Sequence, residues 1–146
     1  MIHNANHIRD NQDGLKVGGH QASSASIVSI MTTLYFNVLR PEDRVAVKPH
    51  ASPVFHAIQY LSGLQTKEKI ENFRGFGGAQ SYPSRTKDID DVDISTGSVG
   101  LGVAMTSFIS LIQDYIARKK FYNNRQLGRM IALVGDAELD EGNVYE

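Results

Sequence analysis

The stretch that decides the fold is Met130–Asn143, which reads MIALVGDAELDEGN. Its first five residues are apolar and include two β-branched side chains, a pattern that predicts a short buried strand of a parallel sheet. Gly135 predicts a turn at the carboxyl end of that strand. Ligands of open α/β sheets bind just beyond the carboxyl ends of the strands, so we expect a ligand at this turn. Four carboxylates follow there: Asp136, Glu138, Asp140 and Glu141.

This acidic segment has two compatible interpretations. Oxygen ligands at a strand end suit Mg²⁺ bound to a phosphorylated molecule, and Asp136, directly after Gly135, is the residue placed to reach the metal. The alternative is that the acids cap the next helix, where carboxylates in the first turn interact favourably with the helix dipole. Both can hold at once.

The upstream elements predict an α/β fold with a mainly parallel sheet flanked by helices. Arg44–Val47 is a second strand candidate. Pro53 suits the first position of a helix that runs through Leu61 and ends at Gly63, and Thr66 is placed to cap the next helix. The segment 74–96 predicts a long loop, a feature that is usually functional or disordered.

Two further helices are predicted. Ser23 is placed to cap a helix that carries an apolar stripe. Val99–Lys119 is the longest predicted helix, and Asn123–Asn124 breaks it before the final strand. Its predicted inner stripe consists of Val103, Ile109, Ile112 and Ile116.

Composition fits one soluble globular domain over residues 1–146, with 41% hydrophobic and 21% charged residues. A formal charge of −1 argues against a nucleic-acid binder. The absence of cysteine excludes disulfides and thiolate metal sites and is compatible with a cytoplasmic location, which we expect. Ile94–Gln113 is uncharged, but its glycines, serines and threonines predict a buried helix rather than a membrane span.

Two turns end in histidine, Gly18-Gly19-His20 and Lys48-Pro49-His50. A neutral imidazole at the junction of a turn and a helix can move protons or hydrogen-bond a substrate carboxylate near neutral pH. The alternative is that each histidine caps a helix or fills a polar pocket. His56, inside a predicted helix, indicates a structural role.

The segment STGSVGLG, residues 95–102, opens the long helix with alternating glycines. Glycines permit close backbone approach, and free N–H groups at a helix start favour anionic or polar ligand atoms. Tight packing of a helix on a sheet explains the same pattern equally well. The acids at 88–93 lack the spacing of a calcium loop and indicate a solvated loop.

Taken together, these segments resemble the thiamine-diphosphate-binding domain of the transketolase and pyruvate dehydrogenase group. The matches occur in order and cover the chain from about Gly18 to its last residue. Ser81-Tyr82-Pro83 stands where transketolases usually carry Gly-His-Pro, and resembles the homodimeric pyruvate dehydrogenase decarboxylase component instead. The matching segments are Gly18-Gly19-His20 with Ala22-Ser23, Pro49-His50-Ala51-Ser52-Pro53, Ser81-Tyr82-Pro83, residues 96–102 and Gly135-Asp136.

The resemblance implies thiamine diphosphate and Mg²⁺ as cofactors. Asp136 would bind the Mg²⁺ that bridges the diphosphate, and Glu141 would contact the cofactor or the dimer partner. Backbone groups of three residues would approach the diphosphate, namely Gly135, Ala137 and Glu138.

The resemblance also implies a reactive pocket. The main chains of Gly97 and Val99 would contact the aminopyrimidine. His20 and His50 would flank the thiazolium and handle protons or the substrate carboxylate. Ser23 and Tyr82 are weaker candidates for the same pocket.

Two departures from the family pattern bear on how complete the site is. The family pattern reads Gly-Asp-Gly where this chain has Ala137, a change that ordinary backbone torsions tolerate. The metal-binding asparagine pair and the second domain, which supplies an activating glutamate from the partner subunit, have no counterpart in these 146 residues. We therefore expect a fragment, or one piece of a split enzyme, incomplete at the C-terminal end and at the N-terminal end.

The function expected from the resemblance is decarboxylation of pyruvate, or of another 2-oxo acid, in a longer homodimeric protein. The acyl unit would pass to the lipoyl group of a dihydrolipoyl acyltransferase partner. Ketol transfer between sugar phosphates is the alternative enzyme activity. A non-catalytic fragment that pairs with a complementary subunit is the alternative outside catalysis, and no nucleic-acid or membrane partner is expected.

Overall fold

The computed structural model describes residues 1–10, 14–121 and 126–146. Within these ranges two short strands, β1 (Arg44–Ala46) and β2 (Met130–Ala132), pair in parallel, with Val45 opposite Ile131. The parallel pairing of the two predicted strands is therefore confirmed. The mixture of helices with a small parallel sheet is compatible with the predicted α/β class. The predicted helix break at Asn123–Asn124 lies outside the described residues.

The sheet differs from its prediction in the burial of β2. The three residues of β2 are half-buried rather than buried, because β2 has a strand neighbour on one side among the described residues. Both strands are also shorter than the predicted ranges.

Five α-helices, α1 to α5, accompany the strands in the described residues. Those upstream of the 74–96 loop are short, except for the helix that begins at Ser52. They are α1 (Gln21–Ala25), α2 (Val28–Thr33), α3 (Ser52–Leu61), α4 (Lys67–Glu71) and α5 (Leu101–Arg118).

The single helix predicted from Ser23 is broken into α1 and α2. His20, not Ser23, holds the N-cap position of α1. The amide of Ile27 bonds Ser24 O, three residues back, and this tighter turn separates α1 from α2. A π-helical turn, Leu34–Val38, follows α2 directly.

Helix α3 forms the centre of the core; it ends at the predicted Leu61 and begins one residue before the predicted Pro53. Pro53 occupies its first turn, and Gly63, with φ 77°, lies just beyond its end. The next predicted cap is also present, since Thr66 Oγ1 accepts a hydrogen bond from the Lys69 amide at 3.3 Å. The apolar side chains of α3 and its neighbours form one buried cluster, which consists of Ile27, Met31, Val45, Val47, Ala51, Val54, Phe55, Ile58 and Val92.

The amino ends of the two strands are joined through Asp43, which lies just before β1. Arg129, just before β2, donates to its carboxylate from the amide at 2.8 Å and from Nη2 at 2.5 Å. The Arg40 amide adds a bond of 2.9 Å. These bonds from Arg129 hold the pKa of the Asp43 carboxyl well below its usual range, against the opposing effect of burial.

The segment 74–96 is a long loop without helix or strand, as predicted. Its carboxyl-terminal part is tied to β1, because Asp93 accepts a hydrogen bond from the Val45 amide at 2.9 Å and lies 3.5 Å from Arg44 Nε. Burial nevertheless raises the pKa of the Asp93 carboxyl. The loop is therefore an ordered part of the wall around α3.

Helix α5 packs on the sheet through its first turn, where a Cβ placed on Gly102 would lie 3.3 Å from Ala46 Cβ. It starts two residues later than predicted. The prediction that Ile112 faces inward is wrong, because that side chain is 56% exposed. The outward face of α5 is apolar and includes Phe108, Leu111, Ile112 and Tyr115.

No helix in the described ranges has the length and apolar character needed to cross a membrane.

Candidate active site

A polar cavity of about 290 Å³ brings together four of the predicted site residues: His20, Ser23, His50 and Tyr82. His20 and Ser23 come from the start of α1, His50 comes from the turn before α3, and Tyr82 comes from the 74–96 loop. Lys16 and Arg74 also line the cavity, and none of the described residues that line it is a carboxylate. The cavity is therefore basic, with two hydroxyl groups, and suits an anionic or hydroxylated ligand.

The His20 turn is held by the N-terminal segment. Asn6 Oδ1 accepts a hydrogen bond from the Gly18 amide at 2.6 Å, and Asn6 Nδ2 donates to Gly19 O at 3.1 Å. A side chain at position 18 would lie 2.5 Å from Ile2 O, and Gly19 has φ 80°, so the glycine pair is required by this packing. The turn presents His20 as an exposed side chain at the cavity.

Arg74 links this turn to the long loop. Its Nη1 donates to Val17 O at 2.7 Å, and its guanidinium lies 5.2 Å from the centre of the Phe73 ring. Arg74 adopts φ 61°, a left-handed conformation that is uncommon for a residue other than glycine. The sequence gave no signal for Arg74, because contacts with a distant segment bring it to the cavity. Lys16, four residues before His20, was also missed.

His50 follows the carboxyl end of β1 in a 3₁₀ turn, Pro49–Ala51, that leads directly into α3. Pro49 is buried while His50 is exposed, so the turn directs the imidazole away from the core. The two predicted catalytic histidines therefore share one cavity, although their roles stay predictions.

Tyr82 connects this cavity with the glycine-rich segment. A Cβ placed on Gly97 would lie 3.7 Å from Tyr82 Cδ2, and the Thr96 amide donates to Pro83 O at 3.1 Å. Gly97 and Val99 are both half-buried. Gly97, one of the two residues expected to meet the aminopyrimidine, therefore lies next to the Tyr82 ring.

The acidic segment after β2 forms a 3₁₀ helix, Asp136–Asp140. Its side chains differ in their exposure to solvent. Asp136, Ala137 and Glu141 are exposed, whereas Glu138 is 4% exposed. Glu138 Oε2 accepts a hydrogen bond from the Gly100 amide at 3.2 Å. Glu138 therefore ties the acidic segment to the residue just before α5. Asp136 and Glu138 also lie in the first turn of the 3₁₀ helix, the position that the capping interpretation gave to the acids.

Two buried oxygen atoms in this segment have no hydrogen-bond partner among the described residues: Glu138 Oε1 and Asn143 Oδ1. Both side chains approach Gly100, where an added Cβ would lie 2.5 Å from Asn143 Oδ1. Buried acceptors without partners are rare in native structures and point to a missing donor or cation. The sequence analysis gave Asn143 no role.

Lys48 adds a cation to the same edge of the sheet. A Cβ placed on Gly135 would lie 2.9 Å from Lys48 Nζ and 3.6 Å from Glu138 Oε1. The Lys48 ammonium group therefore lies beside Gly135 and the unbonded oxygen of Glu138. The rule that ligands bind beyond strand ends could have pointed to Lys48, which follows β1 by two residues.

This edge fits a magnesium diphosphate. Asp136 is exposed, and its carboxylate has no hydrogen bond or ion pair with the described residues. Mg²⁺ is commonly held by one or two carboxylates together with substrate phosphates, rather than by a cage of protein ligands. Asp136 would supply the carboxylate, and Lys48 and the exposed turn would face the diphosphate.

A second group with metal-ligand chemistry lies elsewhere. His56, Asp88 and Asp90 bring one potential ligand atom each to within 4.8 Å of one another, the one such group of three found in the described ranges. Each of these side chains is already hydrogen-bonded within the protein. We therefore assign this group to the folding of the loop, in agreement with the structural role predicted for His56.

Comparison with known proteins identifies the family. Residues 17–146 match the family described as the transketolase thiamine diphosphate-binding domain. This chain belongs to that family. The family recognised from the ordered motifs is therefore confirmed.

The relatives include both enzymes named by the resemblance. Transketolase-like protein 2 of Mus musculus is 30% identical over 139 residues, which cover 88% of this chain and 21% of that protein. Transketolase of Homo sapiens is 27% identical over the same shares. The pyruvate dehydrogenase E1 component of Mycolicibacterium smegmatis is 27% identical over 152 residues, 97% of this chain and 16% of that protein. The chain thus spans about a fifth or less of the length of these relatives.

Proposed function

We propose that this chain is the diphosphate-binding part of a thiamine diphosphate- and Mg²⁺-dependent decarboxylase component that acts on pyruvate or another 2-oxo acid. The observation that carries the proposal is the shared cavity of His20, His50 and Tyr82. Tyr82 belongs to Ser81-Tyr82-Pro83, the segment that resembles pyruvate dehydrogenase components rather than transketolases. The relative from Mycolicibacterium smegmatis supports the same assignment.

The cofactor would lie across the two parts of the site. Asp136 would hold Mg²⁺, with Lys48 beside the diphosphate and the main chain of Gly135, Ala137 and Glu138 around it. Gly97 and Val99 would meet the aminopyrimidine, and Glu141, exposed at the end of the turn, would contact the cofactor or a partner subunit.

When bound, thiamine diphosphate supplies the carbon nucleophile and the electron sink that decarboxylation of a 2-oxo acid requires. The chain's own residues bind, orient and exchange protons. His20 and His50 would hydrogen-bond the substrate carboxylate or carry protons at the cavity, because imidazole does both near neutral pH. The Ser23 and Tyr82 hydroxyls would orient the substrate.

The proposal includes partners for the whole protein. A dihydrolipoyl acyltransferase would accept the acyl group. A second copy of the protein would complete the site as a homodimer, and the exposed apolar face of α5 supports burial against another surface, because contiguous exposed apolar patches commonly mark interaction sites.

Ketol transfer between sugar phosphates is the second candidate, and it is supported by the transketolase relatives at up to 30% identity. The basic cavity is compatible with a sugar phosphate as well as with a 2-oxo acid.

The deciding experiment uses the full-length protein that contains this chain, loaded with thiamine diphosphate and Mg²⁺. We expect CO₂ release from pyruvate, in the presence of an artificial electron acceptor, to exceed ketol transfer between sugar phosphates. Asp136→Asn serves as the cofactor-deficient control. Ketol transfer without CO₂ release from any 2-oxo acid tested would reject the decarboxylase in favour of the second candidate.

The isolated 146-residue chain provides a separate test of the site's completeness. We expect calorimetry with thiamine diphosphate and Mg²⁺ to show weak binding or none. Tight binding by the isolated chain would contradict the proposal that a partner subunit completes the site.

A further inference from the structure

His56 of α3 and Asp90 of the 74–96 loop form a fully buried pair. The side chains of both residues are 0% exposed, and His56 Nδ1 lies 2.6 Å from Asp90 Oδ2. His56 Nε2 lies 3.0 Å from Gln80 O. Because a carbonyl oxygen can only accept, Nε2 must carry a proton and donate it to Gln80.

A second donor lies one helical turn earlier on the same face of α3. Ser52 Oγ donates to Ser81 O at 2.5 Å. Residues four apart on a helix lie one above the other, so Ser52 and His56 bind two consecutive carbonyls of the loop.

The other side of this loop segment is held by Asp88. Its Oδ1 accepts from the Gln80 amide at 3.0 Å and its Oδ2 from the Ser84 amide at 2.8 Å. The remaining oxygen of Asp90 accepts from Gln65 Nε2, which ties the pair to the segment between α3 and α4.

Tyr82 lies inside the segment that is held in this way. It is the one residue of 80–84 that lines the cavity with His20 and His50, and its ring contacts Gly97. Among the described residues, no hydrogen bond holds the Tyr82 side chain itself. Its position is therefore set by the backbone on either side of it.

A buried histidine–carboxylate pair is a costly way to fill space, since packed apolar side chains of similar volume are often as stable or more so. Here the pair fixes the orientation of the imidazole, so that its N–H group donates to the carbonyl of Gln80. We propose that His56, supported by Asp90 and together with Ser52, is a positioning residue that holds Tyr82 at the substrate cavity. The inference rests on the proposed function in that it takes this cavity as the substrate pocket.

Two substitutions of His56 separate positioning from packing. His56→Gln keeps an N–H group near the place of Nε2 and can still donate to Gln80 O. His56→Asn keeps a donor near the place of Nδ1 and can bond Asp90 but not Gln80. Each variant removes one of the two buried bonds, so the losses in overall stability are comparable. Ser52→Ala is a milder second variant that loses the bond to Ser81 without opening a large cavity.

Hydrogen exchange and kinetics of the full-length protein provide independent readouts. We expect amide exchange in residues 80–84 to be about tenfold faster in His56→Asn and Ser52→Ala, but close to wild type in His56→Gln, because a lost buried bond releases the loop locally. We expect KM for the substrate to rise about threefold or more in the same two variants, with affinity for thiamine diphosphate unchanged. The amide-exchange arm needs neither substrate nor turnover, so it tests the inference even if the proposed reaction is wrong.

Equal exchange rates in His56→Gln and His56→Asn would show that His56 only packs, and would overturn the inference. Faster exchange in His56→Asn with KM and kcat both unchanged would show that His56 holds the loop backbone without positioning Tyr82 for the substrate, and would overturn the inference. Unchanged amide exchange in Ser52→Ala would show that Ser52 does not help to hold the loop.

Discussion

The two ends of the small parallel sheet treat their carboxylates in opposite ways. At the amino end, both oxygens of Asp43 receive hydrogen bonds from within the chain. At the carboxyl end, Asp136 has no partner among the described residues and buried Glu138 leaves Oε1 unbonded. A buried carboxylate is stable only when its lone pairs are satisfied. The amino end therefore holds the strands together, and the unbonded Glu138 oxygen supports the proposal that the carboxyl end receives donors or cations from outside the chain.

The largest effect on stability is expected at the amino end. Asp43→Ala removes the acceptor of the Arg40 and Arg129 amides, and we expect it to lower the free energy of unfolding by about 3 kcal/mol. Denaturant unfolding measures this. Asp136→Ala at the other end is the matched control and should change stability by about 0.5 kcal/mol or less. Equal losses would show that the two ends do not differ.

Gly100, at the carboxyl end, is expected to be next. It has φ 79°, and an added Cβ would meet Asn143 Oδ1 at 2.5 Å, so Gly100→Ala should cost about 2 kcal/mol and disturb Glu138. Gly142→Ala is the control, because a Cβ there meets nothing within 4 Å and the residue lacks a positive φ. Thermal unfolding compares the two variants, and a Gly100→Ala protein as stable as Gly142→Ala would contradict this arrangement.

Asp136→Asn tests the ligand side of the comparison. We expect it to weaken Mg²⁺-dependent binding of thiamine diphosphate to the full-length protein by about tenfold or more, because an amide is a neutral and poorer metal ligand. Asp140→Asn, an exposed acid of the same turn, should leave the affinity near wild type. Calorimetry measures both. Unchanged affinity in Asp136→Asn would remove the residue from the metal site.

Lys48 should contribute less than the metal ligand. We expect Lys48→Met to weaken thiamine diphosphate binding about fivefold, since it removes a cation beside the diphosphate turn, and Lys48→Arg to retain most of the affinity. Lys67→Met, an exposed lysine of α4, is the charge-matched control. If Lys48→Met binds the cofactor as tightly as Lys67→Met, then Lys48 serves only to pack against Gly135.

The pH dependence of stability tests the amino end of the sheet in a second way. The pKa of Asp43 is lowered in the folded state, so its contribution is present above its unfolded pKa of about 4 and is lost as the pH falls below that value. The difference in unfolding free energy between wild type and Asp43→Asn should therefore shrink between about pH 5 and pH 2. A constant difference over this range would contradict the account of Asp43.

The sequence predicted the elements that depend on local signals. The parallel strands, the bounds of α3 and the Thr66 cap all follow from β-branched runs, a proline and a capping side chain. The break between α1 and α2 and the exposure of Ile112 were missed, because a hydrophobic stripe indicates an apolar face but not which parts of it find a neighbour.

The candidate site shows the same limit. Ordered motifs placed His20, His50, Ser23 and Tyr82 in one pocket, where the structure brings them together. Arg74, Lys48 and the free oxygen of Asn143 were missed, because each gains its place through contacts between distant segments. The hydrogen bond from His56 to Gln80 O likewise depends on a fold that brings α3 against a loop residue 24 positions away.

The most direct test of the ligand-binding edge is calorimetry of thiamine diphosphate with the full-length protein, in the presence and absence of Mg²⁺. The account predicts binding that depends on Mg²⁺ and is weakened by Asp136→Asn. Binding that is equally tight without a divalent cation, or that ignores Asp136→Asn, would contradict it.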